Sequence, residues 1–155
     1  MDDADMRKIA KSQLQQVYWL DKRIDQDMIR LDQLRKTVGS LGAMDYSKPI
    51  VQSSHGNSTE HLIARIVDLQ ADINREIDAL VDLKSRIADQ IDQLGNDAYC
   101  AVLRYRYICL CRWEDIESRM NYSHGHIMRI HKRALQAYGE KMRLNETSAC
   151  GTMVL

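Results

Sequence analysis

Two long runs of apolar residues at heptad spacing restrict what this chain can fold into. Apolar positions recur every seven residues from Val17 to Val38, and again from Ile66 to Leu94. Spacings that alternate between three and four residues keep one stripe of side chains on a single helix face. The runs therefore predict two long amphipathic helices. Their apolar residues are Leu14, Val17, Leu20, Ile24, Met28, Leu31, Leu34 and Val38, then Ile66, Leu69, Ile73, Ile77, Leu80, Leu83, Ile87, Ile91 and Leu94.

The composition favours an all-α protein whose first part is a long antiparallel coiled-coil helical hairpin. The 155 residues include one proline, Pro49, and no phenylalanine, and few helix breakers favour long helices. The hairpin is predicted over residues 1–97, with a loop at 39–59 where glycine, proline, serine and asparagine cluster. Each helix of a lone hairpin leaves part of its stripe in water. The hairpin is therefore either a scaffold only or a surface for dimerisation or for binding a partner.

The chain lacks the signals of a membrane protein, a secreted protein or an enzyme. No run approaches the roughly 20 apolar residues of a membrane span, and the acidic N-terminus is not a signal peptide. A cytoplasmic location with reduced cysteines is expected. The pattern Cys109-x-Cys111 with His124-x-His126 lacks the spacing of structural zinc sites. The many Asp residues of the hairpin are accompanied by no nucleophile–base set or phosphate loop, so no metal, cofactor or catalysis is expected.

Charge is distributed unevenly along a chain that is neutral overall. Residues 1–98 carry 13 Lys/Arg against 17 Asp/Glu, whereas residues 99–155 carry 9 against 5. A basic module on an acidic body suggests an anionic partner. Gly95 and Asn96 have the chemistry of a helix end, so a second domain is predicted at 98–144. Residues 145–155 lack periodicity and are predicted to form a flexible tail.

The stretch WEDIESRMNYSHGHIMRIHKRAL, residues 113–135, predicts two helices joined by a tight turn. Asn121 lies at the break, and asparagine tolerates a left-handed backbone. Ser123 can cap the second helix by accepting a hydrogen bond from an unpaired backbone N–H group. The helical spacing places one apolar face on each helix, and His131 beside the second face is expected to be packed. The faces comprise Trp113, Ile116 and Met120, then Ile127, Ile130, Ala134, Leu135 and Tyr138.

This arrangement is a helix-turn-helix pattern, which predicts binding to double-stranded DNA. The second helix would enter the major groove, where its first residues reach base edges and later cations meet phosphates. The start of the preceding helix can present N–H groups to a phosphate. Histidines at the start of the second helix would strengthen binding as the pH falls toward ~6.5. The alternative is an ordinary solvated helix face. The predicted DNA-binding residues are Arg112, Trp113, Ser123, His124, His126, Met128, Arg129, Lys132 and Arg133.

Residues 102–135 resemble region 4 of bacterial sigma-70-type factors. The resemblance implies a sigma region-4-like helix-turn-helix. Glu117 stands where a small residue is usual and Asn121 where glycine is usual, which predicts looser packing between the helices. Gly125 and His126 also depart from the pattern, so the DNA site is expected to differ. The matching residues are Val102, Leu103, Arg106 and Tyr107, then Trp113, Asp115 and Ile116, the turn Asn121-Tyr122-Ser123, and Ile127, Ile130, Ala134 and Leu135.

Nearly the whole chain also resembles small phage and prophage proteins of Gram-positive bacteria. The hairpin followed by VQSS and the ending WED…YS…H…AL carry this resemblance to the sigma-like late transcriptional regulators of the RinA and ArpU types. It implies a sequence-specific regulator that activates phage late genes at a promoter with host RNA polymerase. Two alternatives remain open. One is a packaging protein resembling a terminase small subunit, and the other is a polymerase-binding protein without DNA specificity.

Overall fold

A computed structural model describes residues 2–42 and 55–150, and every regular element in those ranges is helical. The predicted all-α class is confirmed for this part of the chain. Over the same residues, none of the helices is apolar over the length that crossing a bilayer requires. The helices are α1 (Asp3–Leu14), α2 (Gln16–Gly42), α3 (His55–Asp92), α4 (Asp97–Leu103), a π-helical segment (Arg104–Ile108), α5 (Trp113–Met120) and α6 (His124–Cys150).

The structure contains more helix than the sequence predicts. α2 reaches Gly42 and α3 begins at His55, so both ends of the predicted loop at 39–59 are helical, and its middle lies outside the described residues. α6 continues to Cys150 and therefore includes the first half of the predicted flexible tail at 145–155. No glycine or proline interrupts this last stretch before Gly151, so nothing in the sequence forces α6 to end earlier.

The chain divides into two compact units, and the division does not coincide with the predicted boundary at residue 97. Unit 1 comprises residues 1–19 and 81–155, and unit 2 comprises residues 20–80. Helix α1, the start of α2 and the end of α3 therefore lie in the same unit as α4, α5 and α6. The reason is long-range packing within unit 1, which the heptad spacing does not reveal.

Helix α1 packs closely on α6 in unit 1. A Cβ atom at Gly139 would lie 2.6 Å from Met6 Cγ and 3.1 Å from the Met6 carbonyl oxygen, so glycine is needed for this approach. Beside it, Gln136 Nε2 donates a hydrogen bond to Asp3 Oδ1 at 2.8 Å, and Gln136 Oε1 accepts one from Arg7 Nη1 at 3.2 Å. The buried face of α1 comprises Met6, Ala10 and Leu14.

The end of α3 joins the same unit through polar and sulfur contacts. The Tyr138 hydroxyl donates to Gln90 Oε1 at 2.7 Å, and burial raises the pKa of Tyr138 to about 12. The Cys100 thiol lies 3.2 Å from the carbonyl oxygen of Ile91, and burial is the main cause of its raised pKa. These contacts connect α3 to both α4 and α6.

Unit 2 is a pair of helix segments from α2 and α3. Arg23 Nε lies 2.8 Å from Glu76 Oε1, and Arg35 Nη2 donates to Gln70 Oε1 at 2.7 Å. The later residue of α2 pairs with the earlier residue of α3. The two segments therefore run in opposite directions. The hydrophobic cluster between them comprises Leu31, Leu69 and Ile73, flanked by the half-buried Leu34 and Ile66.

Candidate nucleic-acid interface

Three residues connect α5 to α6, and two of them adopt the roles that the sequence predicts. Asn121 has φ 58° and ψ 39°, the left-handed conformation, and its N–H group donates to the carbonyl oxygen of Glu117. Ser123 Oγ accepts a hydrogen bond from the N–H group of His126 at 3.4 Å, and its carbonyl oxygen accepts one from Ile127 at 3.0 Å. The turn therefore ends α5 and caps α6 within three residues.

A closed hydrophobic cluster holds α4, α5 and α6 together beneath this turn. Val102, Ile116 and Ile127 have no exposed surface. The looser packing predicted from Glu117 and Asn121 stays a prediction. The predicted inward face of α6 is confirmed, since all its members are buried: Ile127, Ile130, Ala134, Leu135 and Tyr138.

Two of the predicted DNA-binding side chains pack against that cluster instead of standing free. Met128 is half-buried and contacts the cluster. Trp113, also half-buried, contacts the cluster and has the Arg106 guanidinium 4.6 Å from its ring centroid. Helical spacing predicts the side of the helix on which each residue lies, but not how far neighbouring side chains cover it. Both residues therefore contribute to the packing of α5 and α6.

His131 connects α6 to the π-helical segment and to α5. Its Nε2 atom lies 2.8 Å from the Tyr107 hydroxyl, and its ring meets the Trp113 ring edge-on at 4.8 Å. Burial, with smaller contributions from Lys11 and Arg106, lowers the pKa of His131 to about 4. Burial also raises the pKa of Tyr107 to about 12. The packed position expected for His131 is confirmed, and the residue is neutral at pH 7.

The outer face of α6 presents three cations at adjacent positions. Arg129, Lys132 and Arg133 are exposed, and none of them forms an ion pair with another residue in the described ranges. Spacings of three and four residues place them along one side of a helix. Unpaired guanidinium and ammonium groups in this arrangement can contact successive phosphates of a nucleic-acid backbone.

The start of α5 is less suited to a phosphate than the sequence suggests. The Arg112 side chain is 81 % exposed, and its Nε atom lies 3.7 Å from Asp115 Oδ2. Glu114 and Asp115 are both exposed in the first turn of this helix, where they oppose an approaching anion. Exposed Arg119 near the other end of α5 was not predicted as a contact. Its guanidinium lies 6.0 Å from the Tyr105 ring centroid.

Neighbouring side chains hold both histidines at the start of α6. His124 Nδ1 lies 2.5 Å from Glu117 Oε1, and the His126 ring meets the Tyr122 ring edge-on at 4.6 Å. Between the histidines, a Cβ atom added at Gly125 would have no neighbouring atom within 4 Å, so the surface is open there. Glu117 and Tyr122 are not among the site residues predicted from the sequence. Only the geometry of the turn brings them to these histidines.

No protein-family model, curated protein or solved structure matches this chain. The resemblance to sigma region 4 therefore rests on the residues between Val102 and Leu135 alone. The function must be inferred from the chemistry of the α5–α6 surface: two oriented imidazoles followed by three unpaired cations.

Proposed function

We propose that this protein is a sequence-specific DNA-binding transcriptional regulator. In this proposal α5 and α6 act as a sigma region-4-like helix-turn-helix, and α2 and α3 form an antiparallel coiled-coil hairpin. The observation that carries the proposal is the unpaired cationic row Arg129, Lys132 and Arg133 on the exposed side of α6. The opposite side of α6 is closed by the core, so a ligand reaches the helix from the cationic side.

The order of groups along α6 suits a helix inserted in the major groove. His124 and His126 lie in its first turn, where side chains reach base edges, and the cations lie one to two turns farther along. The exposed cationic side of α6 ends at Gln136, because that side chain donates a hydrogen bond to Asp3 of α1. Residues 124–133 would therefore supply the contacts. Base readout would come from the first turn and phosphate positioning from the cations.

The resemblance to phage late regulators supports a more specific proposal about biological role. The protein would be phage-encoded and would act in the cytoplasm of a bacterial host. It would bind near the promoter of late genes and contact the host RNA polymerase there. Mapping the tagged protein across the host and prophage genome tests this role, and a sharp peak upstream of the late genes is the expected result.

Binding to the mapped site should depend on the cationic row. For Arg129→Ala/Arg133→Ala we expect a loss of at least about 10-fold in affinity at physiological salt, because each lost phosphate contact removes the release of a counterion. The salt dependence should also weaken, by about one unit of the logarithmic slope for each phosphate contact removed. Fluorescence anisotropy over a salt series measures both quantities.

Arg143→Ala is the matched control, because Arg143 is exposed on α6 about two turns beyond Gln136, outside residues 124–133. Its affinity should equal that of the unchanged protein. If the double variant also kept full affinity and the full salt slope, the DNA-binding proposal would be overturned.

Two other functions remain outcomes of these experiments. A genomic peak at a packaging origin, with a ring of subunits in light scattering, would indicate a protein resembling a terminase small subunit. Recovery of polymerase from nuclease-treated lysate without any genomic peak would indicate a polymerase-binding protein without DNA specificity. In that case Arg129→Ala/Arg133→Ala should reduce polymerase recovery, because the same row would serve a protein partner.

We also propose a homodimer through the hairpin. Ile63 (48 % exposed), Val67 (62 %) and Ile77 (39 %) project from α3 into solvent. At 100° per residue these three fall within about a quarter of the helix circumference, and all belong to unit 2. A helix that displays a second apolar stripe beside its buried one can cover it with the same stripe of another copy.

A further inference from the structure

Glu117 and His124 form a contact that bridges the turn between α5 and α6. Glu117 lies in the last turn of α5 and its side chain is 25 % exposed, whereas the His124 side chain at the start of α6 is 64 % exposed. The Oε1–Nδ1 distance of 2.5 Å places the two groups in direct hydrogen-bond contact. The carboxylate therefore contacts one ring nitrogen from the protein side while most of the imidazole faces solvent.

This contact determines which imidazole nitrogen can act as an acceptor. An ionised carboxylate only accepts hydrogen bonds, so His124 Nδ1 must carry the hydrogen that it donates to Glu117. In a neutral imidazole the other nitrogen, Nε2, then has a free lone pair. With Glu117 in place, neutral His124 presents an acceptor to whatever approaches α6.

We propose that Glu117 is a positioning residue that makes His124 a reader of exocyclic amines in the major groove. This inference rests on the proposed DNA-binding function. Adenine and cytosine each offer an amino group at the major-groove edge, whereas the oxygens of guanine and thymine at that edge are acceptors. A lone pair on His124 Nε2 would accept from the first two bases and repel the latter two.

The surroundings of His124 fit this role. Gly125 leaves open space beside it, so no side chain of the next residue blocks a base edge. His126 is held differently, by the Tyr122 ring, so the two histidines need not share a tautomer. The carboxylate of Glu117 also fixes the ring orientation before DNA binds, which reduces the ordering that recognition requires.

The first experiment reads the tautomer without DNA. Nitrogen chemical shifts of the imidazoles would be recorded for the full chain in mildly alkaline buffer, in which an ordinary histidine is neutral. We expect the Nδ1–H tautomer to predominate at His124. In Glu117→Gln the amide can either accept from or donate to Nδ1, so both tautomers should appear at His124 while the His126 signals stay unchanged. A predominant Nε2–H tautomer at His124 in the unchanged protein would overturn the inference.

The second experiment measures base preference in the same buffer with a randomised DNA site. The unchanged protein should prefer adenine or cytosine at one position by roughly three- to tenfold, the range of one net hydrogen bond. His124→Ala should abolish that preference, and Glu117→Gln should reduce it to less than about twofold while the preferences elsewhere in the site persist. Circular dichroism would verify that each variant remains folded.

The outcomes separate this inference from the proposed function. If Glu117→Gln kept the full preference at that position, Glu117 would be a structural link only, and DNA binding by the protein would still stand. If the unchanged protein selected no sequence at all, the proposed function would fall and this inference with it. Arg129→Ala/Arg133→Ala is the comparison variant. Loss of phosphate contacts should weaken binding to all DNA sequences about equally and leave the base preference unchanged.

Discussion

Unit 1 and unit 2 bury their apolar residues to different degrees. In unit 1 the cluster between α4, α5 and α6 has three members, Val102, Ile116 and Ile127, at 0 % exposure. The cluster of unit 2 is smaller, and large apolar residues such as Ile29 (60 %) and Val67 (62 %) lie in solvent. Unit 1 therefore carries a core sufficient to hold an exposed cationic surface in place, although it too exposes large apolar side chains, such as Trp19 (66 %) and Leu144 (61 %).

Truncation of one core residue in each unit tests this difference, and of the changes considered it should lower the free energy of unfolding most. Ile127→Ala should lower the free energy of unfolding by about 3–5 kcal/mol, because it leaves a cavity among enclosed neighbours. Leu69→Ala should cost about 2 kcal/mol, because its surroundings are partly open and can collapse or hydrate. Urea unfolding followed by circular dichroism measures both. Equal losses would contradict the difference between the two cores.

The sequence predicts those features of unit 1 that are set by residues close together in the chain. The inward face of α6 follows from helical spacing, and the conformations at Asn121 and Ser123 follow from turn and cap chemistry. The contact of Met6 with Gly139 has no such signal, because it joins residues far apart in the chain. The hairpin predicted over residues 1–97 had instead included α1.

The sequence predicts on which side of α6 the site residues lie, but not the contacts that each of them makes. Periodicity placed Arg129 and Arg133 on the outer side of α6, where they lie. The same reasoning placed Met128 on that side, although a residue at the edge of a face packs inward when a neighbour is close. The Glu117–His124 contact depends on the angle between two helices, which a three-residue turn sets and a single sequence does not disclose.

The buried histidine of unit 1 should make its stability depend on pH. The pKa of His131 is about 4 in the folded protein and about 6.5 when unfolded, so the unfolded chain binds the proton first as the pH falls. Stability is full above pH 6.5 and falls between 6.5 and 4, by up to about 3 kcal/mol. Unfolding by denaturant at several pH values measures this loss. His131→Gln should lack this part of the dependence, and an unchanged pH profile in that variant would contradict the assignment.

Glycine substitutions give a smaller effect that should differ in sign between the units. Gly139→Ala places a methyl group against Met6 in unit 1, so the free energy of unfolding should fall by about 1–3 kcal/mol despite the better helix propensity. A Cβ atom added at Gly39 in α2 would have no neighbouring atom within 4 Å, so Gly39→Ala should stabilise by about 0.5–1 kcal/mol. Thermal unfolding measures both. A stabilised Gly139→Ala variant would show that α1 does not need its close approach to α6.

Substitution of the exposed apolar residues of α3 should change the stability of the monomer least and its assembly most. Ile63 and Val67 are exposed in unit 2, so Ile63→Lys/Val67→Lys should change the stability of the monomer by no more than about 0.5 kcal/mol. If the α3 stripe joins two copies, the same change should shift sedimentation equilibrium from dimer to monomer, because two charges would be buried in the interface. Ala64→Lys is the control, since Ala64 is exposed about 100° around α3 from Ile63. A monomeric unchanged protein, or a dimer that survives the double substitution, would show that the exposed stripe of unit 2 does not serve a second copy. The contrast between the two units would then concern packing alone.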